Sequence, residues 1–371
     1  MRPFPLILLA LAAHGAAAQN AAPTLDEILD AFERAPTSDL APAPAPAAAP
    51  PQAPEVVAAP QTAPAAPEAA TDRMPTPAEI ESVTYAGGPL PEGRSALTVK
   101  LQILLDRSGI SPGVIDGWRG GMSESAIAAF ETRAGLPVDG ILDPEVWAQL
   151  GGDEPGAVLA SYTVVPADLE NLSGELPSDY ALLAQLPHLG HERASERIAE
   201  FFHMTEEFLI GLNPGATFQP GETLTVAALG AHAAEPVAAI VIDKTTRRLT
   251  GYDAAGNLVV NYPVTVGSTD TPSPSGHVTV ERIALMPEYS YNPENFIQGD
   301  NMSRLTLPPG PNGPVGSVWI ALSKPSYGIH GTPEPSSLFR SQSHGCVRLT
   351  NWDAEELAGL VTPGVSVVFQ D

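Results

Sequence analysis

The stretch that decides the fold of the C-terminal part of the chain is VAAIVIDKTTRRLTGYDAAGNLVVNYPVTVG, residues 237–267. Apolar residues recur at every second position in three short runs, and the tetrapeptides KTTR and AAGN separate these runs. Such alternation is typical of strands, so the stretch predicts three strands joined by turns. Later runs of the same kind are HVTVERIAL, SVWIAL and GVSVVFQ. Together they predict a mostly-β domain over residues 237–371, with one late helix that Asn351 would cap.

Upstream, residues 94–152 have the apolar period of helices. Two Asp-Gly turns each precede a predicted helix start, at Ser123 and at Asp143, where a side-chain oxygen can cap the helix. With the run AIAAF between them, these features resemble the peptidoglycan-binding domain type 1, a small all-α module of three helices. A generic three-helix spacer remains the alternative.

Residues 160–228 begin with SYTVVPADL, which predicts a strand, and continue through IAEFF, EEFLIGLNP and PGETLTV. This order resembles a LysM module, a glycan-binding βααβ fold, extended here by an insertion around residues 172–190. His188 and His191 have a spacing that a metal site could use, but no third ligand is near in sequence. We therefore expect them to be ordinary surface residues.

The first 80 residues divide into three predicted segments. Residues 1–18 combine Arg2, an apolar run and small residues before a cleavage point, which predicts a secretory signal peptide and no transmembrane segment. Residues 19–35 contain a short amphipathic stretch, either an isolated tail or a docking helix. Residues 36–80 are rich in Ala and Pro and predict a disordered linker. The mature protein is thus expected in the periplasm.

The chain carries a formal net charge of −25. Such a charge repels nucleic acid and anionic lipid head groups, so neither is an expected partner. From Pro236 onward there are 8 basic and 12 acidic residues, so this part of the chain is nearly balanced. A domain that handles an anionic polymer could require such a balance.

The chemistry centres on SQSHGCVRL, residues 341–349, which contains Cys346, the only cysteine in the sequence. Its neighbours His344 and Arg348 are cations that would lower the pKa of a thiol. His330, in YGIHGT, ends a predicted strand and is a candidate base for a thiol nucleophile. His330 and His344 lack the ligand spacing of a zinc peptidase, so we expect no metal.

The segment IHGTPEPSSLFRSQSHGCVRLTNWDAEEL, residues 329–357, resembles the active-site signature of the L,D-transpeptidases with a YkuD-type catalytic domain. TPSPSGHVTV and YSYNPENF match the same family, and the resemblance extends over residues 237–371. It implies a β-sandwich catalytic domain in which Cys346 is the nucleophile and His330 the base. The Gly331 carbonyl would then orient the imidazole as the third catalytic member.

The remaining site residues are expectations around this pair. The backbone N–H groups of Gly345 and Cys346 could supply oxyanion donors. His344 either donates to the tetrahedral intermediate or only shapes the turn. Ser343 is expected to hydrogen-bond within the turn rather than to catalyse. The candidate substrate-binding residues are Arg348, Ser343, Tyr289, Tyr291 and Asn292, with ordinary loop packing as the alternative for the last three.

The resemblance implies acyl transfer on peptidoglycan stem peptides through a cysteine thioester, without cofactor or metal. The acceptor would be a second stem peptide, giving a 3–3 cross-link, a lipoprotein lysine or a D-amino acid. Expected partners are stem peptides, glycan strands and a lipoprotein acceptor, and the expected state is a monomer. The alternatives are a hydrolase of the same fold and a non-catalytic peptidoglycan-binding scaffold.

Overall fold

The computed structural model describes residues 73–268, 271–293, 303–343 and 345–371. The predicted signal peptide 1–18, the segment 19–35, linker residues 36–72 and His344 lie outside the described residues. Within the described ranges, no helix has the length and apolar character needed to cross a bilayer.

The N-terminal part of the described chain is helical, as predicted. Its helices are α1 (Pro77–Ser82), α2 (Ala96–Arg107), α3 (Gly121–Ala134) and α4 (Pro144–Gln149). Thr76 caps α1 in a reciprocal box with Glu79, and Ile80 is fully buried. The predicted linker therefore extends too far, because its last residues, 77–80, belong to a helix that packs into the core. Asp143 caps α4 as predicted, whereas α3 begins after Gly120 rather than at Ser123.

A second unit follows with the predicted order of strand, two helices and strand. Its elements are β1 (Leu159–Thr163), a 3-10 turn (Pro166–Leu169), α5 (Tyr180–Leu183), α6 (Ala194–Phe201), α7 (Glu206–Leu212) and β2 (Thr223–Ala227). β1 and β2 pair antiparallel. Ile198 of α6, Phe208 of α7 and Leu224 of β2 share one continuous apolar core with the N-terminal helices.

The C-terminal part is mostly β, as predicted. Its elements are β3 (Ala239–Asp243), β4 (Arg248–Tyr252), β5 (Leu258–Pro263), β6 (Gly276–Leu285), β7 (Tyr289–Tyr291), β8 (Leu305–Leu307), β9 (Val318–Leu322), β10 (Gly328–His330), β11 (Val347–Arg348), α8 (Asn351–Leu360) and β12 (Ser366–Gln370). Eight of these strands form one mixed sheet in the order β11-β10-β9-β6-β12-β3-β4-β5, and β7 and β8 form a separate hairpin.

The strand β6 makes this sheet curl. Residues 276–279 of β6 pair with β12, and residues 280–285 pair with β9 after a register shift between Val280 and Arg282. One strand thus belongs to both halves of the sheet, and such a bulge bends the strand and increases its twist. The expected β-sandwich therefore takes the form of one curled sheet around a single core.

Helix α8 lies where the sequence predicts it, but its cap differs by one residue. The Thr350 hydroxyl accepts a hydrogen bond from the Asp353 N–H at 3.1 Å, so Thr350 and not Asn351 is the N-cap. The Asn351 side chain accepts from the Ser317 N–H at 3.1 Å and donates to the carbonyl oxygen of Pro311 at 3.2 Å. Asn351 thus ties α8 to the loop before β9.

A polar cluster joins all three parts of the chain, and we call it the junction cluster. It consists of Asp106 and Ser111 from the N-terminal helical part, His203 after α6, and Trp352 and Asp353 of α8. The His203 Nδ1 lies 2.7 Å from the Asp106 carboxylate, and the His203 ring stacks on Trp352 at 5.2 Å between centroids. The Ser111 hydroxyl donates to Asp353 at 3.0 Å.

Candidate active site

The pairing of β10 with β11 brings the predicted nucleophile and base together. The two strands are parallel, with Ile329 opposite Val347 and His330 opposite Arg348. Cys346 directly precedes β11, so the same register places it beside Gly328. Because side chains alternate along a strand, Cys346, His330 and Arg348 project from one face of the sheet. Residues that are 16 apart in sequence thus meet at this edge.

His330 is held as a neutral imidazole. It is 4 % exposed, and its Nδ1 lies 2.7 Å from the Gly331 carbonyl oxygen. Burial and, after it, the positive charge of Arg348 lower the pKa of His330 to about 4. The neutral ring that donates Nδ1–H to this carbonyl keeps its lone pair on Nε2. The ring can therefore accept a proton at neutral pH.

Two close approaches in this edge of the sheet require glycine. A Cβ on Gly331 would lie 2.3 Å from the Asn351 side-chain oxygen, and one on Gly328 would lie 2.5 Å from the ring of Trp319. Trp319 in turn stacks on His330, with 5.6 Å between ring centroids and 22° between ring planes. The glycines thus allow α8 and Trp319 to pack tightly around the imidazole.

The Cys346 thiol differs from the sequence expectation. It is half-buried and lies 3.7 Å from the Ser326 carbonyl oxygen. Burial raises the pKa of Cys346, and the Gly328 amide and the Arg348 charge offset this only in part. The expectation that neighbouring cations leave a lowered pKa is therefore wrong, because desolvation outweighs them. The thiol rests protonated at neutral pH and needs a base to become a nucleophile.

The turn before Cys346 is shaped by Ser343. Its hydroxyl donates to the Cys346 carbonyl oxygen at 2.5 Å and accepts from the Gly345 N–H at 3.1 Å. Gly345 has a φ of +109°, a conformation that L side chains rarely adopt. Ser343 is 4 % exposed, so the structure supports its role in the turn and not a contact with substrate. The Gly345 N–H is likewise engaged and is a poor oxyanion donor.

The other candidate substrate-binding residues differ in their burial and in their contacts. The half-buried Arg348 guanidinium lies 3.4 Å from the Ser341 hydroxyl. Burial raises the pKa of Tyr289, and the Tyr289 ring is partly buried against the same apolar cluster that contains Tyr291. Tyr291 is 6 % exposed and belongs to a small apolar cluster, which is the packing alternative. Asn292 directly follows β7 and is half-buried.

Sequence reasoning missed two aromatic contacts, one at this face and one at the β7–β8 hairpin. Trp319 follows the alternation of SVWIAL and lies opposite His330 where β9 pairs with β10. Knowledge of that strand pairing would have assigned both side chains to one face. Tyr180 comes from the insertion upstream and contacts Tyr291 edge to face, and nothing in the sequence connects these two residues. In the described part of the chain, no group of three or more His, Cys, Asp or Glu side chains is placed to hold a metal ion.

Two family models match the chain. The model described as "L,D-transpeptidase catalytic domain" matches residues 238–369, and the one described as "Putative peptidoglycan binding domain" matches residues 94–150. Neither match includes the unit between β1 and β2, so its resemblance to LysM is not shown. The peptidoglycan-binding match supports peptidoglycan as the partner of the chain.

Named relatives agree with the catalytic match. The "Putative L,D-transpeptidase YkuD" of Bacillus licheniformis is 31% identical over 176 residues, which are 46% of this chain and 90% of that protein. The protein of the same name in Bacillus subtilis is 35% identical over 106 residues, covering 29% and 50%. A solved L,D-transpeptidase structure from Xylanimonas cellulosilytica aligns with 15% identity and a TM-score of 0.35, covering 78% of this chain and 100% of that one. Since the first relative is matched over nearly its whole length, this chain belongs to the L,D-transpeptidase family.

Proposed function

We propose that this L,D-transpeptidase acts in the periplasm on peptidoglycan stem peptides through a thioester on Cys346. The observation that carries the proposal is the parallel pairing of β10 and β11, which puts a protonated thiol and a neutral imidazole on one face. A thiol and an imidazole in these protonation states can react as a nucleophile and its general base.

The first half-reaction is acylation. The Cys346 sulfur attacks the carbonyl of the third stem residue, at its L centre, while the His330 Nε2 takes the thiol proton. The tetrahedral intermediate collapses with cleavage of the C–N bond to the terminal D-alanine. His330 returns its proton to the leaving amine, so D-alanine departs and a thioester remains on Cys346.

The Gly331 carbonyl acts as the orienting member of this group. Its hydrogen bond from Nδ1 selects the tautomer that has its lone pair on Nε2. The Gly331 carbonyl is uncharged, and the pKa of His330 is low. The imidazole therefore holds the thiol proton only briefly before it passes the proton on. The Gly345 N–H donates to Ser343. We therefore assign the stabilisation of the oxyanion to the Cys346 N–H.

The second half-reaction transfers the acyl group. An amine on the third residue of a neighbouring stem peptide attacks the thioester, His330 accepts its proton, and the thiol is regenerated with a 3–3 cross-link. A lipoprotein lysine or a free D-amino acid would react in the same way. Water as the acceptor would make the enzyme a hydrolase.

The N-terminal part supports a location at the wall. The peptidoglycan-binding match at residues 94–150 gives the enzyme a second contact with its polymeric substrate. We propose that a signal peptide at residues 1–18 exports the chain and that it works as a monomer on stem peptides and glycan strands. Two linked binding sites on one polymer raise the effective concentration of substrate at Cys346.

The deciding experiment is product analysis by mass spectrometry after incubation with tetrapeptide muropeptides. We expect dimers that have lost one D-alanine, and none with the Cys346→Ala variant. Tripeptide monomers without dimers would replace the transferase by the hydrolase. Activity retained in Cys346→Ala would exclude the thiol mechanism altogether.

A second measurement separates an enzyme from a binding scaffold. Carbapenems acylate the active-site thiol of this family, so intact-mass analysis should show one covalent adduct on Cys346 of the folded protein. The His330→Gln variant should form it more slowly. A folded protein that forms no adduct would favour the non-catalytic scaffold.

A further inference from the structure

Helix α6 lies in the unit between β1 and β2 and reaches the catalytic domain through two carboxylates. The Glu196 carboxylate accepts a hydrogen bond from the Asn312 side-chain amide at 2.7 Å. One turn later, the Glu200 carboxylate accepts one from the Asn351 side-chain amide at 3.1 Å. The partners belong to different segments, because Asn312 lies in the loop before β9 and Asn351 opens α8. The two contacts are alike in chemistry and differ in where they end.

The Asn351 side chain has a hydrogen-bond partner for each of its polar atoms. Its oxygen accepts from the Ser317 N–H at 3.1 Å, and its nitrogen donates to the Pro311 carbonyl at 3.2 Å as well as to Glu200. Asn351 is 3 % exposed. Because a buried donor that loses its acceptor is costly, the orientation of this amide depends on the Glu200 carboxylate.

The Asn351 amide packs against the peptide that orients the catalytic imidazole. A Cβ on Gly331 would lie 2.3 Å from the Asn351 side-chain oxygen and 3.3 Å from the Asn351 Cα. Gly316 approaches as closely, since a Cβ there would lie 2.1 Å from the same oxygen and 2.7 Å from the Gly331 carbonyl carbon. The Gly331 carbonyl lies 2.7 Å from the His330 Nδ1. The position of the Asn351 amide therefore limits where this carbonyl can lie.

The Glu200 carboxylate is itself held in place from the upstream side. The His191 and Glu200 side chains are 14 % and 12 % exposed, and the His191 Nε2 lies 3.5 Å from a carboxylate oxygen of Glu200. The His191 Nδ1 accepts a hydrogen bond from the Arg197 Nε at 3.4 Å, so the proton of the neutral ring is on Nε2. Short contacts thus run without a break from α6 to the active-site histidine.

We propose that Glu200 is a positioning residue for the reaction at Cys346. Through Asn351 it fixes the Gly331 carbonyl and so keeps the lone pair of His330 on Nε2. The inference takes the role of His330 as the general base from the proposed function. Glu200 itself exchanges no proton in this reaction, because it acts on the base only through the packing of the amide.

The physical argument concerns the tautomer of the base. A hydrogen bond to a charged acceptor is stronger than one to a neutral acceptor, so a carboxylate holds the Asn351 amide firmly. Without it the amide can turn, and the Gly331 carbonyl can move away from Nδ1. The neutral ring of His330 then also populates the tautomer with its proton on Nε2, which cannot accept the thiol proton.

This contact makes the upstream chain part of the catalytic arrangement. Glu200 lies outside residues 238–369, which match the catalytic family. A displacement of a reacting group that originates far from the chemistry can still lower the rate strongly. The unit between β1 and β2 therefore helps to keep the general base in its reactive form.

The kinetic test compares full-length Glu200→Ala with the parent protein on tetrapeptide muropeptides, at a temperature where both are folded. We expect kcat to fall about tenfold and KM to stay within about twofold, because the base is affected and substrate binding is not. Glu200→Gln should keep kcat within about threefold of the parent, since the glutamine oxygen offers Asn351 an acceptor in the same place. An unchanged kcat in Glu200→Ala would overturn the inference.

The matched control is Glu196→Ala. It removes an equivalent hydrogen bond between the same helix and the catalytic domain, but one that ends on Asn312 rather than on Asn351. It should leave kcat within about twofold of the parent. Equal losses of kcat in Glu196→Ala and Glu200→Ala would mean that both carboxylates only dock α6, and would also overturn the inference.

Nuclear magnetic resonance of protein with isotope-labelled histidine reads the tautomer directly. The His330 Nδ1–H should give a resonance that exchanges slowly with water and is missing in His330→Gln. Glu200→Ala should lose this slow exchange, and Glu196→Ala should retain it. An unchanged resonance in Glu200→Ala would contradict the inference, whatever the kinetics show. This readout needs no turnover, so a wild-type protein that makes no dimers would defeat the proposed function while the resonance still decides the role of Glu200.

Discussion

Two histidines in this molecule are packed alike, but their pKa values are shifted in opposite directions. His330 in the active site stacks on Trp319, with 22° between ring planes, and His203 in the junction cluster stacks on Trp352, with 11°. His330 is 4 % exposed and the His203 side chain 13 %. The aromatic stack alone therefore does not decide what each ring does.

The neighbouring charges make the difference. His330 has a cation, Arg348, and a neutral carbonyl nearby, so burial and the cation together lower its pKa to about 4. Burial also opposes the charge on His203, but Asp106, Asp353 and Glu356 outweigh it and raise the pKa. A similar stacked site thus disfavours the charged imidazole in one place and favours it in the other.

The two rings should also affect stability in opposite directions as pH changes. For His330 the unfolded chain binds its proton near pH 6.5 and the folded chain only near 4, so stability is lost as pH falls between these values. For His203 the folded pKa is above the unfolded one, so its stabilisation is complete at acid pH and is lost as pH rises through the folded pKa.

The largest expected effect comes from replacing each histidine by glutamine. His330→Gln removes the general base and should lower kcat/KM for transpeptidation by about 10²- to 10⁴-fold in protein that is shown to be folded. His203→Gln should leave kcat/KM within about threefold and act on stability instead. Steady-state kinetics and urea unfolding of both variants check this. A comparable kinetic loss in both would show that the two sites are not functionally distinct.

A smaller effect is expected from Asp106→Asn in the junction cluster. The substitution keeps the shape but removes the carboxylate charge that raises the pKa of His203, and should lower the unfolding free energy by about 1–3 kcal/mol. The loss should be greatest at acid pH, where His203 is charged, and should shrink as pH rises. Urea unfolding over a pH series measures it, with the exposed Asp139→Asn as the control. A loss that does not depend on pH would contradict the raised pKa of His203.

Local sequence was sufficient for the parts of this molecule whose stabilising contacts are local. Alternation predicts β3 to β5, and Asp143 is recognisable as a cap because its partner, the Val146 N–H, is three residues away. At α8 two adjacent residues could both cap the helix. The choice between Thr350 and Asn351 depends on a loop 34 residues away, where Ser317 takes up the Asn351 side chain.

The active site shows the same division between features set by local sequence and features set by distant contacts. The resemblance pairs Cys346 with His330, but the direction of the thiol pKa could not be predicted. Sequence neighbours reveal the cation Arg348, whereas the desolvation that outweighs it comes from the packing of distant segments. Tyr180 was missed for the same reason, since a contact over more than a hundred residues leaves no periodic pattern in the sequence.

The smallest expected effect concerns the pH profile and tests whether packing or charge sets the His330 pKa. The wild-type profile of kcat/KM should fall on its acid side near pH 4 rather than 6.5, because below that value the imidazole is protonated and cannot accept the thiol proton. Trp319→Leu admits water to the ring and should move this limb upward by about one pH unit, since burial is the larger cause of the low pKa. Trp352→Leu, which opens the other stack, should leave the limb where it is. Both variants are measured at a temperature where they are folded. If the acid limb of Trp319→Leu does not move, the low pKa of His330 is due chiefly to Arg348.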